Sequence, residues 1–375
     1  MPRTARSTLP RKQRPPKSVT RDLFLVWRAP RIGLRNPHNL TNAVWTWLAS
    51  QPELSAYQAN KHFDGPSSLG LGPCWCAARF GQSRTALADE RIVLIGGEHE
   101  DHYDPDFYIY NDVIVETPSG ERTIFGYPTD VFPPTDGHSA TLAGDRIIVI
   151  GNVGYVWDRD PERTPVCALD TGHFAMIPMH AEGEGPGWIS AHEARLTDDG
   201  RSIEVSGGKR CVERGDTQHF VENLDVWQLD LERLQWTRCT RRPSQQWAIA
   251  RADGRSTSLF DLSTMKYYVG HDDEFSREQR ERFVSMHGRD PDLAAYDALY
   301  RPSIDHESLD DDDSYPRVVR LRVEGIVVRC VEDSGGVRVV IEGELAQPIV
   351  DELVEELRRK VEAIERVAVA VERWD

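Results

Sequence analysis

The sequence predicts a mainly β fold in which similar β-sheet units follow one another, with short N-terminal helices and a small C-terminal α+β region. Three observations predict it. First, an apolar strand that ends in glycine occurs three times, with 55 residues from Gly96 to Gly151 and 56 from Gly151 to Gly207. Second, these apolar runs are short and mostly continuous, as in buried strands. Third, the ten tryptophans suit the filling of spaces between sheets.

Each copy of the motif has the same parts in the same order. A polar lead comes first, then the apolar strand and its glycines, then a variable loop, a third strand and a short fourth strand. Four strands in about 50 residues match one propeller blade, and an equal period of this size indicates a repeat architecture. The apolar strands with their glycines are residues 92–97, 147–152 and 203–208.

These residues resemble the kelch repeat, known from kelch proteins and the central domain of galactose oxidase, over residues 79–238. The resemblance implies a small or incomplete kelch-like β-propeller with three clear blades, in which the strand before the diglycine lies near the propeller axis. The second unit departs from the pattern because it has Asn152 after Gly151, and only the third keeps the tryptophan, Trp236. Three blades do not close a ring. We therefore expect flanking strands to complete it, with residues 23–27, 247–250 and 257–260 as candidates.

The remaining segments suggest a division into five regions. The acidic run at 309–313 is interpreted as a solvated linker. The helix after Pro348 has one apolar face that we expect to cover a three-stranded meander. The predicted regions are a disordered basic tail (1–21), a strand at 22–27 and short helices leading into the propeller (22–78), the kelch-like propeller (79–270), a helical and acidic linker (271–315), and the meander with its helix (316–375).

Charge and hydropathy exclude several function classes. The net charge of −16 opposes binding to nucleic acid, except through the basic tail, where the first 18 residues hold six Lys or Arg and no acid. No apolar run approaches the length of a membrane span or follows the basic start as a signal segment. The six cysteines match no zinc spacing. We expect reduced thiols and a cytoplasmic protein.

The segment after the first diglycine is the most unusual part of the sequence. Two histidines and five carboxylates within nine residues could bind a divalent metal, with His99 and His102 as its ligands. The zinc-protease spacing is absent, because Tyr103 stands where its second histidine would be. The alternative is a polar surface loop whose acids cap backbone amides. The candidate ligand-binding residues here are Glu98, His99, Glu100, Asp101, His102, Asp104 and Asp106.

Two further histidines occupy equivalent positions in the repeat. His138 and His192 lie in the polar leads of the second and third units, and Gln82 takes that place in the first. In a closed ring they would lie at similar radius and line one mouth of the channel as a polar binding surface. The alternative is that they satisfy polar groups between blades.

These observations favour an intracellular binding module that recognises a protein or other ligand through its propeller loops, above all residues 98–106. The alternative is a metal-dependent enzyme, a hydrolase or oxidoreductase, that uses the same loop and a divalent metal. No catalytic residue is assigned, because neither a phosphate-binding glycine loop nor a nucleophile elbow occurs. The copper site that galactose oxidase implies, with two His, two Tyr and a cross-linked Cys, cannot be matched residue by residue. A third hypothesis is a scaffold that oligomerises through its C-terminal helix.

Overall fold

The chain divides into two units, Met1–Thr240 and Arg241–Asp375. The computed structural model describes residues 14–51, 53–66, 72–99, 106–214, 217–268, 274–312 and 317–374. The described residues form a mainly β fold with several antiparallel sheets and seven α-helices; the second unit contains one of these sheets and four of these helices. The finer division at residues 21, 78, 270 and 315 stays a prediction.

Three short helices precede the first sheet: α1 (Arg21–Trp27), α2 (Ala43–Ala49) and α3 (Ala56–His62). The Asn42 side chain caps α2, and Ser55 with Gln58 forms a capping box on α3. The strand predicted at 22–27 is wrong, because α1 occupies this segment and Thr20 caps it through the Leu23 N–H. An apolar run of five residues, 23–27, does not distinguish a strand from one side of a helix.

In the described ranges, the remaining regular structure of the first unit consists of strands and one 3₁₀ turn at Val156–Asp158. The strands are β1 (His38–Asn39), β2 (Ser83–Ala86), β3 (Ile92–Ile95), β4 (Glu98–His99), β5 (Tyr108–Ile109), β6 (Asp112–Glu116), β7 (Arg122–Gly126), β8 (Ser139–Ala143), β9 (Arg146–Ile150), β10 (Val166–Asp170), β11 (Met176–Pro178), β12 (Glu182–Gly183), β13 (Ile189–Ser190), β14 (Glu193–Leu196), β15 (Ser202–Ser206), β16 (Lys209–Arg214), β17 (Thr217–Glu222), β18 (Trp227–Asp230) and β19 (Gln235–Arg238).

Three of the sheets share one antiparallel four-strand order. Sheet 1 is β7-β6-β3-β2 with β1 added beside β7, sheet 2 is β11-β10-β9-β8, and sheet 3 is β19-β18-β15-β14 with β12 added beside β19. The first strands β2, β8 and β14 lie side by side in successive sheets. The strand before the glycines, which was expected to lie near the propeller axis, is the second strand of each sheet. The strand formed by the polar lead lies at the sheet edge, beside its counterpart in the next sheet.

The sheets pack as layers with separate apolar cores. Sheet 1 packs on the three helices on one side and on sheet 2 on the other, and sheet 2 packs on sheet 3. Every residue of 147–150 in β9 is buried, because sheet 2 is covered on both faces. In β15, Ile203 and Val205 are buried and alternate with Ser202, Glu204 and Ser206. Sheet 3 therefore presents a polar outward face.

The sheets do not close into a barrel or propeller among the described residues. None of the three segments expected to complete the ring supplies a further blade strand to the first unit. Residues 23–27 lie in α1, residues 247–250 lie in a strand of the second unit, and a helix begins at Leu259. These expectations were wrong because a short apolar segment pairs with whichever sheet lies near it in space.

The second unit is a sheet with helices packed against it, ordered β21-β22-β23-β24-β20-β25. The predicted meander is present as β22 to β24, and the expected apolar face of α7 is buried against the sheet. Its elements are β20 (Gln245–Arg251), α4 (Leu259–Tyr268), α5 (Glu274–His287), α6 (Leu293–Asp297), β21 (Glu307–Asp312), β22 (Arg317–Val323), β23 (Ile326–Asp333), β24 (Gly336–Ile341), α7 (Gln347–Glu365) and β25 (Val369–Arg373).

Residues 309–312 of the acidic run predicted to be a linker belong to the edge strand β21, and Asp313 lies outside the described residues. Asp310 pairs with Arg320, and Asp311 pairs with Arg317, each at 2.6 Å. Opposite charges on neighbouring strands stabilise this pairing. Sequence alone does not reveal it, because the arginines that compensate the acids lie on the next strand.

Candidate functional site

The loop after β3 in sheet 1 and the loop after β9 in sheet 2 each lie close to the segment that precedes the first strand of the next sheet. Gly96 and Gly151 both have positive φ, 57° and 78°. A Cβ at Gly96 would lie 2.2 Å from the Thr135 carbonyl oxygen, and one at Gly151 would lie 2.3 Å from that of Ile189. Glycine is needed here because it allows both this close approach and the left-handed backbone.

Asn152 explains why the second unit departs from the diglycine pattern. Its amide nitrogen donates to the Pro134 carbonyl at 2.9 Å, and its amide oxygen accepts from the Asp136 N–H at 2.9 Å. Asp136 in turn accepts from the Gly154 N–H at 2.9 Å. The side chain therefore ties the loop of sheet 2 to the connection that arrives from sheet 1.

This loop carries an aromatic pair. The rings of Tyr155 and Trp157 stack with centroids 4.8 Å apart and planes 6° from parallel. The Tyr155 hydroxyl accepts from the Ile109 N–H at 2.9 Å, and the Phe107 ring meets the Tyr155 ring edge-on at 5.9 Å. Trp157 is 78% exposed. Its orientation is thus set by Tyr155, which is itself attached to the loop of sheet 1.

Trp157 and Tyr155 line a pocket of about 670 Å³ between the loop of sheet 2 and the connection from sheet 1 to sheet 2, residues 129–135. This volume lies in the range of small-ligand sites. The apolar part of the lining includes Phe132, Pro133, Pro134, Pro165 and Pro178, and the charged side chains are Asp130, Asp158, Asp160 and Arg163. We call this space the inter-sheet pocket.

Sequence reasoning missed the inter-sheet pocket. The available signal was a pair of aromatic residues, Tyr155 and Trp157, within a loop otherwise rich in Asp, Arg and Pro. Large aromatic side chains in a polar loop indicate contact with something outside the local chain. Their convergence with residues 129–135 depends on how sheets 1 and 2 pack, which no local pattern encodes.

The predicted metal loop is only partly described. Glu98 and His99 form β4, and Asp106 is partly buried, whereas Glu100, Asp101, His102 and Asp104 lie outside the described residues. No group of three His, Cys, Asp or Glu side chains within the described ranges could hold a metal ion. The role of this loop stays a prediction.

His99 is buried rather than presented at the surface. Its Nδ1 lies 2.8 Å from the Tyr110 hydroxyl, and its Nε2 has no hydrogen-bond partner among the described residues. Desolvation, with the nearby Arg79 charge, lowers the pKa of His99 to about 4. The imidazole is therefore neutral at pH 7.

A buried polar network lies beside His99. The Arg79 guanidinium makes two hydrogen bonds to the Asp112 carboxylate, at 2.5 and 3.0 Å, and lies over the Tyr110 ring. The Trp75 indole N–H also donates to Asp112, at 2.8 Å. The side chains of Arg79 and Asp112 are 0% and 5% exposed. This pair joins the segment before sheet 1 to β6, and sequence reasoning did not find it.

His138 and His192 lie between successive sheets. The Nε2 of His138 is 2.8 Å from the Ser83 hydroxyl of sheet 1, and that of His192 is 2.8 Å from the Ser139 hydroxyl of sheet 2. Both side chains are buried, and desolvation lowers their pKa values to about 3 and about 4. The predicted ligand-binding role of these histidines stays a prediction.

The comparisons with known proteins add a weak structural likeness. No family model matches the chain, and no curated protein does. One solved structure is described as a novel fungal alcohol oxidase with catalytic diversity among the AA5 family, in complex with copper. It shares 14% identity and a TM-score of 0.28, covering 46% of this chain and 49% of that one. The chain thus spans about half the length of this neighbour.

No helix in the described ranges combines the length and hydrophobicity of a membrane span. No disulfide joins any of the six cysteines, all of which lie in the described part of the chain.

Proposed function

We propose that the first unit is an open, three-bladed kelch-like segment that acts as a cytoplasmic binding module and recognises a segment of a partner protein in the inter-sheet pocket. Three successive sheets with one strand order and a 55- to 56-residue spacing support the kelch-like part of this proposal. The helices on sheet 1 and the polar face of sheet 3 then serve as ends of the stack, as in other repeat proteins.

The observation that carries the binding role is the Tyr155–Trp157 stack at the pocket wall. An exposed tryptophan held in one orientation offers contact area at little entropic cost on binding, and such residues dominate binding energies at interfaces. The loop that follows the glycine of sheet 2 forms one wall of this pocket, and the connection from sheet 1 to sheet 2, residues 129–135, forms another.

The lining of the pocket favours binding over covalent catalysis. Desolvation raises the pKa of the Cys167 thiol to about 12, so that this side chain is not a thiolate nucleophile at pH 7. The Thr135 hydroxyl donates to the Pro133 carbonyl. Neither group is paired with a general base in the described contacts.

The alternative function is a metal-dependent enzyme that uses His99 and the loop 98–106. The buried Nε2 of His99, without a hydrogen-bond partner among the described residues, is the observation that favours it. Metal analysis of the purified full chain tests this alternative. A stoichiometric transition metal that is lost in His99→Ala would support it, and a metal-free protein would contradict it.

A phage-displayed library of random twelve-residue peptides, selected on the full chain and on Trp157→Ala, tests the binding proposal. We expect peptides that bind the natural chain and fail on the variant. Because Trp157 is mostly exposed, the substitution should leave folding unchanged. Val156→Ala is the matched control, since Val156 lies in the same 3₁₀ turn and does not line the pocket. Recovery of no peptide that depends on Trp157 would reject the proposal.

A further inference from the structure

The charges around the inter-sheet pocket are unbalanced. The charged residues of its lining are three aspartates, Asp130, Asp158 and Asp160, and one arginine, Arg163. The Arg163 guanidinium lies 3.3 Å from the His180 ring nitrogen Nδ1. The charged lining is therefore net negative by two.

We infer that the inter-sheet pocket takes a basic side chain, a lysine or arginine presented by a segment of a partner protein. This inference rests on the proposed binding function and names its ligand class. The face of an indole ring attracts a cation, and carboxylates at the rim add to that attraction. Trp157 and Asp158 supply both elements at adjacent positions of one turn.

The apolar lining suits the rest of such a side chain. Lysine and arginine have aliphatic stems that pack on apolar surfaces while the charged head stays near water. The rings of Pro133, Pro134 and Pro178 offer that surface in the same pocket. A long cationic side chain can contact the prolines, the indole face and the carboxylates together.

An acidic segment does not fit the same lining. It would bring its carboxylates next to those of Asp130, Asp158 and Asp160 with one arginine to compensate. Like charges brought together at an interface oppose binding. A neutral segment would use the aromatic and prolyl surface and leave the carboxylates without a partner.

The test uses the peptides recovered in a Trp157-dependent selection, synthesised with a fluorescent label and titrated against the full chain. We expect lysine or arginine to be enriched in them, and replacement of these residues by glutamine to weaken binding about tenfold or more. The chain variant Asp130→Asn/Asp158→Asn/Asp160→Asn should weaken the same peptides about tenfold, since each exposed charge contributes a few-fold.

Asp145→Asn is the matched control, because Asp145 is an exposed acid in the hairpin of sheet 2 that does not line the pocket. Affinity for the basic peptides should also fall as salt is raised, since exposed charge pairs are screened. Asparagine has nearly the same shape as aspartate. A loss of peptide binding in the triple variant can therefore be attributed to the removal of the negative charges.

The outcomes separate this inference from the proposed function. Trp157-dependent peptides that are neutral or acidic, or that bind the triple variant equally well, would overturn the basic ligand class and leave the binding function standing. No Trp157-dependent peptide at all would reject the binding function itself. Competition by tetramethylammonium or spermidine at concentrations as low as those of the peptides would assign the pocket to a small cation and overturn the partner-segment assignment.

Discussion

The Tyr155 ring lies flat against the Trp157 ring, while its hydroxyl accepts the N–H of Ile109 from the loop of sheet 1. One side chain therefore supports the exposed indole and also joins two sheets. The orientation of Trp157 depends on the packing of sheet 1 against sheet 2, although both aromatic residues belong to one short loop.

Replacing Tyr155 separates its two contributions. In Tyr155→Ala the support behind Trp157 is lost, and we expect Trp157-dependent peptides to bind at least tenfold more weakly with the pocket charges unchanged. Tyr155→Phe keeps the stack and loses only the bond to Ile109, so that it should retain most of the affinity. Fluorescence anisotropy titration measures both variants. Equal affinity of Tyr155→Ala and the natural chain would show that the stack does not support binding.

Replacing Asn152 tests the tie between sheet 1 and sheet 2. Asn152→Gly restores the glycine of the repeat pattern but leaves the Pro134 carbonyl and the Asp136 N–H without their partner. We expect a loss of stability of about 1–3 kcal/mol, the cost of unsatisfied buried polar groups. Urea unfolding of the full chain, followed by circular dichroism, measures it.

Asn39→Gly is a suitable comparison for Asn152→Gly. The Asn39 side chain also bonds a backbone N–H, that of Thr41, but at an exposed position. Asn39→Gly should therefore lower the free energy of unfolding much less than Asn152→Gly does, because water replaces the lost hydrogen bond. A stability of Asn152→Gly equal to or above that of the natural chain would mean that the repeat pattern, and not the amide tie, determines this loop.

The buried pair of Arg79 and Asp112 should be important for the stability of the first unit. Arg79→Met leaves the Asp112 carboxylate buried with the Trp75 N–H and without its cation, and we expect a loss of about 3–5 kcal/mol in urea unfolding. Arg195→Ala is the control, since Arg195 is 73% exposed and 3.6 Å from Glu204. Exposed pairs of this kind contribute about 1 kcal/mol or less. Similar losses in both variants would refute the role of burial.

The three buried histidines predict how stability depends on pH. Their pKa values in the folded chain, about 4 for His99, about 3 for His138 and about 4 for His192, lie below the ordinary value of 6.5. Below pH 6.5 the unfolded chain therefore binds more protons than the folded chain. The stability that the neutral histidines contribute is fully present above pH 6.5 and falls as the pH drops toward 4. Each histidine contributes up to about 1.4 kcal/mol per pH unit in that window.

His138→Gln isolates one of these contributions. Glutamine occupies the equivalent position in sheet 1, where Gln82 donates to the Gly96 carbonyl. We expect the variant to lose less stability than the natural chain between pH 6.5 and 4, as measured by urea unfolding at several pH values. His173→Gln, at a side chain 89% exposed, is the comparison and should change the slope less than His138→Gln does. An unaltered slope in His138→Gln would contradict a buried neutral imidazole.

Several elements could be predicted because their signals are local. The runs Ile92–Ile95 and Arg146–Ile150 are strands, and the face of Val350, Leu353 and Leu357 packs on its sheet. The sequence also contains a signal for the end of the stack of sheets. The alternation of Ser202 to Ser206 indicates one buried face, whereas residues 147–150 of β9 are all apolar. Sheet 3 therefore has no apolar face for a fourth sheet.

The amino-acid sequence by itself determined the strands, their near-constant spacing and the glycines that let successive sheets approach, because these follow from side-chain periodicity and backbone freedom. The tertiary structure decided which sheet each short segment joined. It also decided the pairing of Arg79 with Asp112 and the meeting of Tyr155 with the loop of sheet 1. These contacts join residues that are 33 and 46 positions apart. Their formation depends on the burial of whole sheets against one another, which no local sequence pattern specifies.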